Sequence, residues 1–125
     1  MRKAKPPDTR KRAEKRGRRG EALAALFLRC KGYRILGRRV KTRAGEVDLV
    51  AQSPSGIVCF VEVKARPAEG LAAEAVGVRQ RARIARAAEL YLAGKPGTRV
   101  RFDVITVVPG HFPRHLRDAW RADGL

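Results

Sequence analysis

Two short runs of aliphatic and β-branched residues in this chain each enclose carboxylates. Residues 45–50 read Gly-Glu-Val-Asp-Leu-Val, and residues 60–64 read Phe-Val-Glu-Val-Lys. Because alternate residues of a strand point to the same face, Glu62 and Lys64 are expected on one face, and Val61 and Val63 on the other. Carboxylates among apolar side chains are costly unless a cation pairs with them. The sequence therefore predicts two central strands that carry charged side chains within an otherwise apolar sheet.

Asp48 alternates in the same way with Val47 and Leu49, which predicts both apolar side chains on the face opposite the carboxylate. Thirteen residues separate Asp48 from Glu62, and Lys64 follows after one more. Lys64 can neutralise one carboxylate, and a divalent cation can hold two. An Asp followed by Glu-x-Lys on an adjoining strand is typical of metal-dependent phosphodiester cleavage.

The charge of the chain points to a polyanionic partner. Its 125 residues include 29 basic and 12 acidic side chains, a formal net charge of +17. Residues 1–19 hold ten basic and two acidic residues. We expect residues 1–16 to form a disordered basic tail, which either keeps the protein in solution or attaches it to a nucleic-acid backbone. Residues 17–125 are expected to form a single domain.

Periodicity and turn signals predict an α/β fold in the order αβββαβ. We expect a helix over 18–31, strands over 33–41, 46–52 and 57–64, a helix over 76–93 and a strand over 100–108. A short amphipathic helix is expected over 113–122. Short connections predict an antiparallel meander of the first three strands, and the following helix a crossover to a parallel neighbour. The expected sheet is mixed and mostly four-stranded, and helices flank it.

Several residues carry more specific expectations. The apolar face of the first helix is expected to contain Ala22, Leu23, Leu26, Phe27 and Cys30. Cys30 and Cys59 have no CxxC spacing, and we interpret them as small buried hydrophobes. The N-terminus lacks the apolar core of a signal peptide, and no run approaches the ~20 residues of a membrane span. These features predict a cytoplasmic protein that makes no contact with a membrane.

Five segments together resemble the YraN-like family. They are Gly-x-x-Gly-Glu at 17–21, the runs at 45–50 and 60–66, Arg-Ala-Ala with Tyr-Leu within 86–92, and Arg-Phe-Asp-Val-Ile at 101–105. This family is placed in the restriction-endonuclease-like, PD-(D/E)xK superfamily and is similar in pattern to archaeal Holliday-junction resolvases. The resemblance covers residues 17–108 in order.

The resemblance implies an endonuclease-like core and assigns roles to four residues. Asp48 and Glu62 would hold Mg²⁺ or Mn²⁺, and Lys64 would be the catalytic lysine. Glu21 would be an acid that the first helix contributes beside the metal, although a first-turn glutamate also favours the helix dipole. The implied activity is metal-dependent cleavage of structured or branched DNA, and analogy with the resolvases implies a homodimer.

Three further polar residues are secondary candidates for the site. Glu46 would share the face of Asp48, or it forms a surface ion pair with Arg43 or Arg66. The family often carries a lysine near the position of Gln80. Either Gln80 or a neighbouring arginine substitutes for it, or the role is absent and Gln80 lies on a solvated basic helix face. Asp103, inside an apolar strand, either orients an arginine or caps a helix.

Basic residues near these motifs are candidates for nucleic-acid contact: Arg66, Arg79, Arg83 and Arg86. The last three recur at near-helical spacing, so they would form a stripe along a phosphate backbone or a plain solvated face. Nucleic acid, with DNA favoured over RNA, is the expected partner. The rival functions are a non-catalytic nucleic-acid-binding module and a basic protein that docks to RNA or to an acidic protein.

Overall fold

A computed structural model describes the backbone of residues 7–66 and 77–122, and the side chains from Gly17 onward within those ranges. The elements are α1 (Pro7–Cys30), β1 (Arg34–Thr42), β2 (Gly45–Gln52), β3 (Val58–Ala65), α2 (Val78–Tyr91), β4 (Val100–Val107) and β5 (Arg114–Trp120). The expected mixed α/β fold is confirmed. Residues 1–6 of the predicted tail, and most of the predicted loop between β3 and α2, lie outside the described residues.

One five-stranded sheet holds all the described strands, in the order β1-β2-β3-β4-β5. β1, β2 and β3 pair antiparallel, which confirms the predicted meander. β3 and β4 pair parallel, with Val58 opposite Val100 and Ala65 opposite Val107. The crossover through α2 therefore lies where the sequence predicts it, and it brings β4 beside the strand that carries Glu62 and Lys64.

Each face of the sheet has its own apolar cluster. On one face Phe60, Phe102 and Trp120 pack with Ile84 of α2, and the rings of Phe102 and Trp120 stack with centroids 4.1 Å apart. On the other face, residues of α1 pack on the sheet around Leu49, Val61 and Ile105. On α2, Ile84 and Ala88 are buried, and Tyr91 and Leu92 pack against the same cluster. The central strands are thus covered on both sides.

Helix α1 begins at Pro7, well before the predicted start at residue 18, so the backbone over 7–16 is helical. It ends at Cys30, one residue before the predicted end, and Gly32 follows with a φ of 87°, the left-handed conformation that glycine adopts readily. The amide of Tyr33 donates to the carbonyl of Leu28 and the amide of Gly32 to that of Arg29, both at 3.0 Å. These bonds satisfy carbonyls that the last turn leaves without helical partners.

The predicted apolar face of α1 is wrong. Leu23 and Leu26 are 42% and 54% exposed, and Cys30 is exposed, whereas Cys59 is buried as predicted. The helix instead buries Gly20, Glu21, Ala24, Ala25 and Leu28. A Cβ on Gly20 would stand 3.0 Å from the Cβ of Ala65, so small residues bring α1 close to β3. Close backbone approach, rather than side-chain size, selects the buried face.

The predicted C-terminal helix is also wrong, because residues 114–120 form the edge strand β5. Leu116 and Trp120 are four residues apart, a helical spacing, yet they pair with Val104 and Phe102, which are two apart. The extra residues form a bulge at Asp118, whose φ is 52°. Because the bulge adds residues to β5, two side chains that pair with positions two apart on β4 are four apart in the sequence. That spacing is also the spacing of a helix.

Asp103 of β4 forms hydrogen bonds with residues of β5. It is fully buried, it receives two hydrogen bonds of 2.8 Å from Arg101, and it lies 2.8 Å from Nε2 of His115. The amide of Asp118 donates to it at 3.0 Å. Burial disfavours the charged carboxylate, but these hydrogen bonds outweigh it and hold the pKa of Asp103 below its usual value. Asp103 therefore orients an arginine, one of its two predicted roles.

We expect Asp103→Asn to lower the free energy of unfolding by about 3–5 kcal/mol at neutral pH, because it breaks a buried ion pair. Since the folded pKa of Asp103 is lowered, its contribution is present above the unfolded pKa of about 3.9 and is lost as pH falls through the folded value. Urea unfolding at neutral and acidic pH measures both effects. Asp118→Asn is the matched control, because Asp118 pairs only with exposed Arg121 among the described side chains. Equal losses in the two variants would contradict the role of Asp103.

Candidate functional site

Strands β2 and β3 separate at the end that carries the acidic motifs. Their pairing runs from Gln52 opposite Val58 to Leu49 opposite Val61 and stops there. One residue further along β2, Oδ2 of Asp48 accepts a hydrogen bond of 2.8 Å from the backbone amide of Val63. The carboxylate thus takes the place of a backbone carbonyl. It lies between the two strands rather than on one face of the sheet.

This separation changes the predicted alternation along β2. Val47 packs in the cluster under α2, together with Phe60, whereas Leu49 packs in the cluster under α1. The prediction that Val47 and Leu49 share a face is therefore wrong. Where β2 leaves β3, the regular pleat that enforces a period of two no longer applies.

The carboxyl groups of Asp48 and Glu62 lie close enough for each to shift the pKa of the other. Burial and the charge of Asp48 raise the pKa of Glu62 to about 8. Burial also raises the pKa of Asp48, although the hydrogen bonds from Val63 and Glu62 oppose that rise. Two like charges this close cannot both ionise easily, so the pair shares one proton near neutral pH.

We expect the metal-free protein to lose stability as pH rises from the unfolded pKa of Glu62, about 4.3, through its folded value of about 8. A raised folded pKa means that the native protein binds more protons than the unfolded chain over this range. Urea unfolding in EDTA across the range measures the slope. Glu62→Gln should flatten it, whereas Glu89→Gln, which changes an exposed acid of α2, should leave it unchanged. A slope that survives Glu62→Gln would contradict the shared proton.

Gln80 of α2 connects the acidic pair to Lys64. Its amide nitrogen donates to Oε2 of Glu62 at 3.1 Å, and its carbonyl oxygen accepts from Nζ of Lys64 at 3.4 Å. Glu62 is buried and Lys64 is half-buried on the side of the sheet that faces α2. The structure therefore brings together three residues that the sequence predicted, and Gln80 orients the other two.

A cleft of about 390 Å³ opens beside Asp48. Its lining residues are Gly17, Arg18, Glu21, Arg39, Glu46, Asp48 and Val63. The predicted proximity of Glu21 and Glu46 to Asp48 is thus seen in the structure. Glu46 is exposed on the wall of this cleft, and its charge acts on Arg39. Glu21 is buried and pairs with Arg38 and Arg39.

Other predicted residues lie elsewhere. Asp103 belongs to the network of β4 and β5 described above. Arg66 follows the end of β3, where its Nη1 donates to the carbonyl of Ala65 at 3.4 Å. On α2, Arg79, Arg83 and Arg86 are exposed, and the aliphatic part of Arg83 covers Gly45 at the start of β2. Arg86 is engaged with Glu89 at 3.0 Å. Of these three arginines, Arg83 acts on the site, since its positive charge opposes the rise in the pKa of Glu62.

The chemistry of the site rests on two carboxylates rather than on a larger ligand set. Within residues 17–66 and 77–122, no group of three or more His, Cys, Asp or Glu side chains is arranged to hold a metal ion. Asp48 and Glu62 supply the carboxylate oxygens here, and Mg²⁺ often takes one or two carboxylates with waters and phosphate oxygens. None of the helices in the described ranges has the length and apolar character needed to span a membrane.

Three groups of the site were not predicted from the sequence: Arg38, Arg39 and the amide of Val63. Neighbouring residues of a regular strand point to opposite faces, so the adjacent arginines gave no sign of a common partner. Arg39 has a φ of 49°, and this departure from strand geometry was not visible in the residue types. The amide of Val63 is a backbone group, and only the separation of β2 from β3 frees it for Asp48.

Comparison with known proteins places this arrangement in a family. The model of the uncharacterised protein family UPF0102 matches residues 20–107, which include α1 from Gly20, both acidic strands and α2. The chain belongs to the UPF0102 family. The YraN-like resemblance of the motifs is thereby confirmed at the level of the family.

Relatives in several bacteria match nearly the whole chain. A UPF0102 protein of Paramagnetospirillum magneticum is 46% identical over 98% of this chain and all of its own length. One of Maricaulis maris is 46% identical over 89% of each chain, and one of a Caulobacter species is 50% identical over 86% of this chain and 79% of its own. The names of these relatives state the family and no activity.

Proposed function

We propose that this UPF0102 protein is a nuclease that uses a divalent metal ion and is built on a restriction-endonuclease-like core. The observation that carries the proposal is the pairing of half-buried Asp48 with buried Glu62 where β2 leaves β3, with Lys64 joined to Glu62 through Gln80. Groups whose pKa values are strongly shifted by burial and by a neighbouring charge cluster at functional sites.

The donor set suits Mg²⁺ or Mn²⁺. Two carboxylates that share a proton would release it on binding a divalent cation, whose charge balances both. Asp48, Glu62 and the carbonyl of Val63 would hold the ion. When bound, it would supply an activated water and would offset charge on the scissile phosphate.

The side chains around the pair have separate tasks. Lys64 supplies a positive charge to the phosphate as negative charge develops in the transition state. Gln80 keeps Lys64 and Glu62 in a fixed relation, since it donates to one and accepts from the other. Asp48, held by the amide of Val63, keeps its carboxylate aimed between the strands.

The substrate class follows from charge and from the family resemblance. A net charge of +17 favours a nucleic-acid backbone, and exposed Arg83 lies close enough to the site for its charge to act on Glu62. We propose DNA of branched or otherwise structured form as the substrate, cut by a homodimer in the manner of junction resolvases. The same charge equally favours a nucleic-acid-binding module without catalysis, which is the second candidate.

A cleavage panel tests the proposal. Labelled duplex, flap and four-way-junction DNA, with matched RNA, are incubated with the protein in Mg²⁺, Mn²⁺ or EDTA. We expect metal-dependent cleavage that EDTA abolishes and that is fastest on a branched DNA. Binding without cleavage of any substrate would establish the non-catalytic module instead. Absence of binding to every nucleic acid at low salt would favour docking to an acidic protein.

A further inference from the structure

A buried glutamate of α1 holds two adjacent arginines of β1. Oε1 of Glu21 accepts from Nε of Arg38 at 3.2 Å, and Oε2 accepts from Nε of Arg39 at 2.9 Å. Glu21 is only 5% exposed, whereas the two arginine side chains are 45% and 40% exposed. The carboxylate is thus an internal anchor, and the charged ends of the arginines face solvent.

The backbone of β1 is distorted so that both arginines reach this anchor. In a regular strand, Arg38 and Arg39 would point to opposite faces. Arg39 instead has a φ of 49°, a left-handed conformation that is unfavourable for a residue with a Cβ. Unfavourable backbone conformations persist only where their surroundings impose them, and they concentrate at functional sites. Here the ion pair with Glu21 accompanies the distortion.

The hydrogen bonds to Glu21 leave the two terminal nitrogens of each guanidinium group available for a ligand. In each of these two side chains, Nε donates to Glu21. Neither terminal nitrogen of Arg38 or Arg39 has a hydrogen-bond partner among the described residues. These nitrogens form the planar edge that binds phosphate oxygens in pairs. The carboxylate of Glu21 therefore orients both guanidinium groups without occupying the edge that a phosphate would use.

The position of Arg39 relates this pair to the site. Arg39 lies opposite Asp48 in the sheet, between the pairs Arg38 with Leu49 and Val40 with Val47, and it lines the same cleft. The negative charges of Glu46 and Asp48 act on it. An acidic cleft repels a phosphate backbone, so a substrate approaching it needs fixed cations at the rim.

We propose that Arg38 and Arg39 bind a backbone phosphate of the nucleic acid beside the bond that is cleaved, and that Glu21 is their positioning residue rather than a metal ligand. The proposal rests on the nuclease function proposed above, which it deepens by naming a substrate contact. It differs from the role that the family resemblance implied for Glu21, because both oxygens of this carboxylate are already engaged by arginine.

The role of Glu21 is tested by whether its neutralisation weakens or tightens the binding of DNA. Affinity for labelled duplex and junction DNA is measured by fluorescence anisotropy in EDTA. Removing an anion near phosphate by itself tightens binding, and this is what we expect for Glu46→Gln, which removes the same charge from the same cleft. Glu21→Gln should instead weaken binding about tenfold, because the arginines lose their anchor. Tighter binding by Glu21→Gln would overturn the positioning role.

Variants of the arginines test the contact itself. Arg39→Asn removes the guanidinium and keeps a residue that tolerates positive φ, and it should weaken binding about tenfold and reduce the log–log salt slope by about one. Arg39→Lys keeps the charge and should recover only part of the loss. Arg43→Gln, at an exposed position in the adjacent turn, is the control. Equal affinities for Arg39→Asn and Arg43→Gln would overturn the contact.

Metal affinity separates this proposal from the function on which it rests. We expect Glu21→Gln to bind Mn²⁺ in calorimetry as the unmodified protein does, and loss of Mn²⁺ binding would make Glu21 a ligand and overturn its positioning role. If the protein cuts no substrate while Arg39→Asn still loses affinity, the nuclease function fails and the phosphate contact stands. If it cuts while Arg39→Asn binds normally, the contact fails and the nuclease function stands.

Discussion

Lys64→Ala should reduce the rate of cleavage by about 10²–10³ and leave DNA affinity nearly unchanged. Lys64 is one of 29 basic residues, so its share of the attraction to the backbone is small. Its expected contribution arises in the transition state, where charge develops on the phosphate beside the acidic pair. Single-turnover cleavage of the preferred substrate, with affinity measured separately in EDTA, distinguishes the two effects.

Lys95→Ala is the matched control for this prediction. Lys95 is exposed in the turn after α2, at the end of that helix away from Gln80, and its removal changes net charge equally. It should cut at the unmodified rate. If Lys64→Ala also cuts at that rate, the activity belongs to another site or to a contaminant. If both variants lose activity equally, the effect is one of overall charge.

DNA affinity should fall steeply with salt, by about 10³–10⁵ between about 50 and 200 mM if six to ten phosphates are contacted. The reason is the release of counterions from each neutralised phosphate, which gives a log–log slope near −0.9 per contact on duplex DNA. The net charge of +17 provides the cations. Anisotropy titrations at several salt concentrations measure the slope.

Two double variants locate the surface responsible. Arg79→Gln with Arg83→Gln, at exposed positions of α2, should reduce the magnitude of the slope by about one to two. Arg114→Gln with Arg117→Gln changes charge equally on exposed positions of the edge strand β5 and should leave the slope unchanged. Equal slopes for both pairs would show that binding is diffuse rather than located on α2. A slope of zero for the unmodified protein would contradict a backbone-binding function.

The pairing of strands could be predicted from sequence because the relevant signals are local. The turns at residues 42–45 and 53–56 are short, and short connections between strands permit only antiparallel neighbours. A helix between two apolar strands permits a parallel neighbour by a right-handed crossover. The meander of β1, β2 and β3 and the parallel addition of β4 follow from these facts, and the structure confirms them.

The C-terminal strand and the buried face of α1 could not be predicted in this way. The bulge at Asp118 exists because its amide bonds Asp103, which lies on another strand. The face of α1 is decided by the approach of Gly20 to Ala65, and the larger Leu23 and Leu26 remain exposed. In both cases the deciding contact joins residues far apart in the chain, and a periodicity averaged over one segment carries no information about it.

The sequence by itself determined the candidate site residues Asp48, Glu62 and Lys64, because carboxylates inside β-branched runs are costly and the spacing is specific. It determined the basic character of the chain and the membership of the family. Only the tertiary structure decided that Asp48 lies between the strands, that Gln80 joins Glu62 to Lys64, and that Glu21 holds two arginines. The physical reason is that each of these contacts depends on where β2 separates from β3, how α2 crosses the sheet and how Arg39 departs from strand geometry. Such departures from regular geometry are set by packing between distant segments, and the residue types at those positions do not encode them.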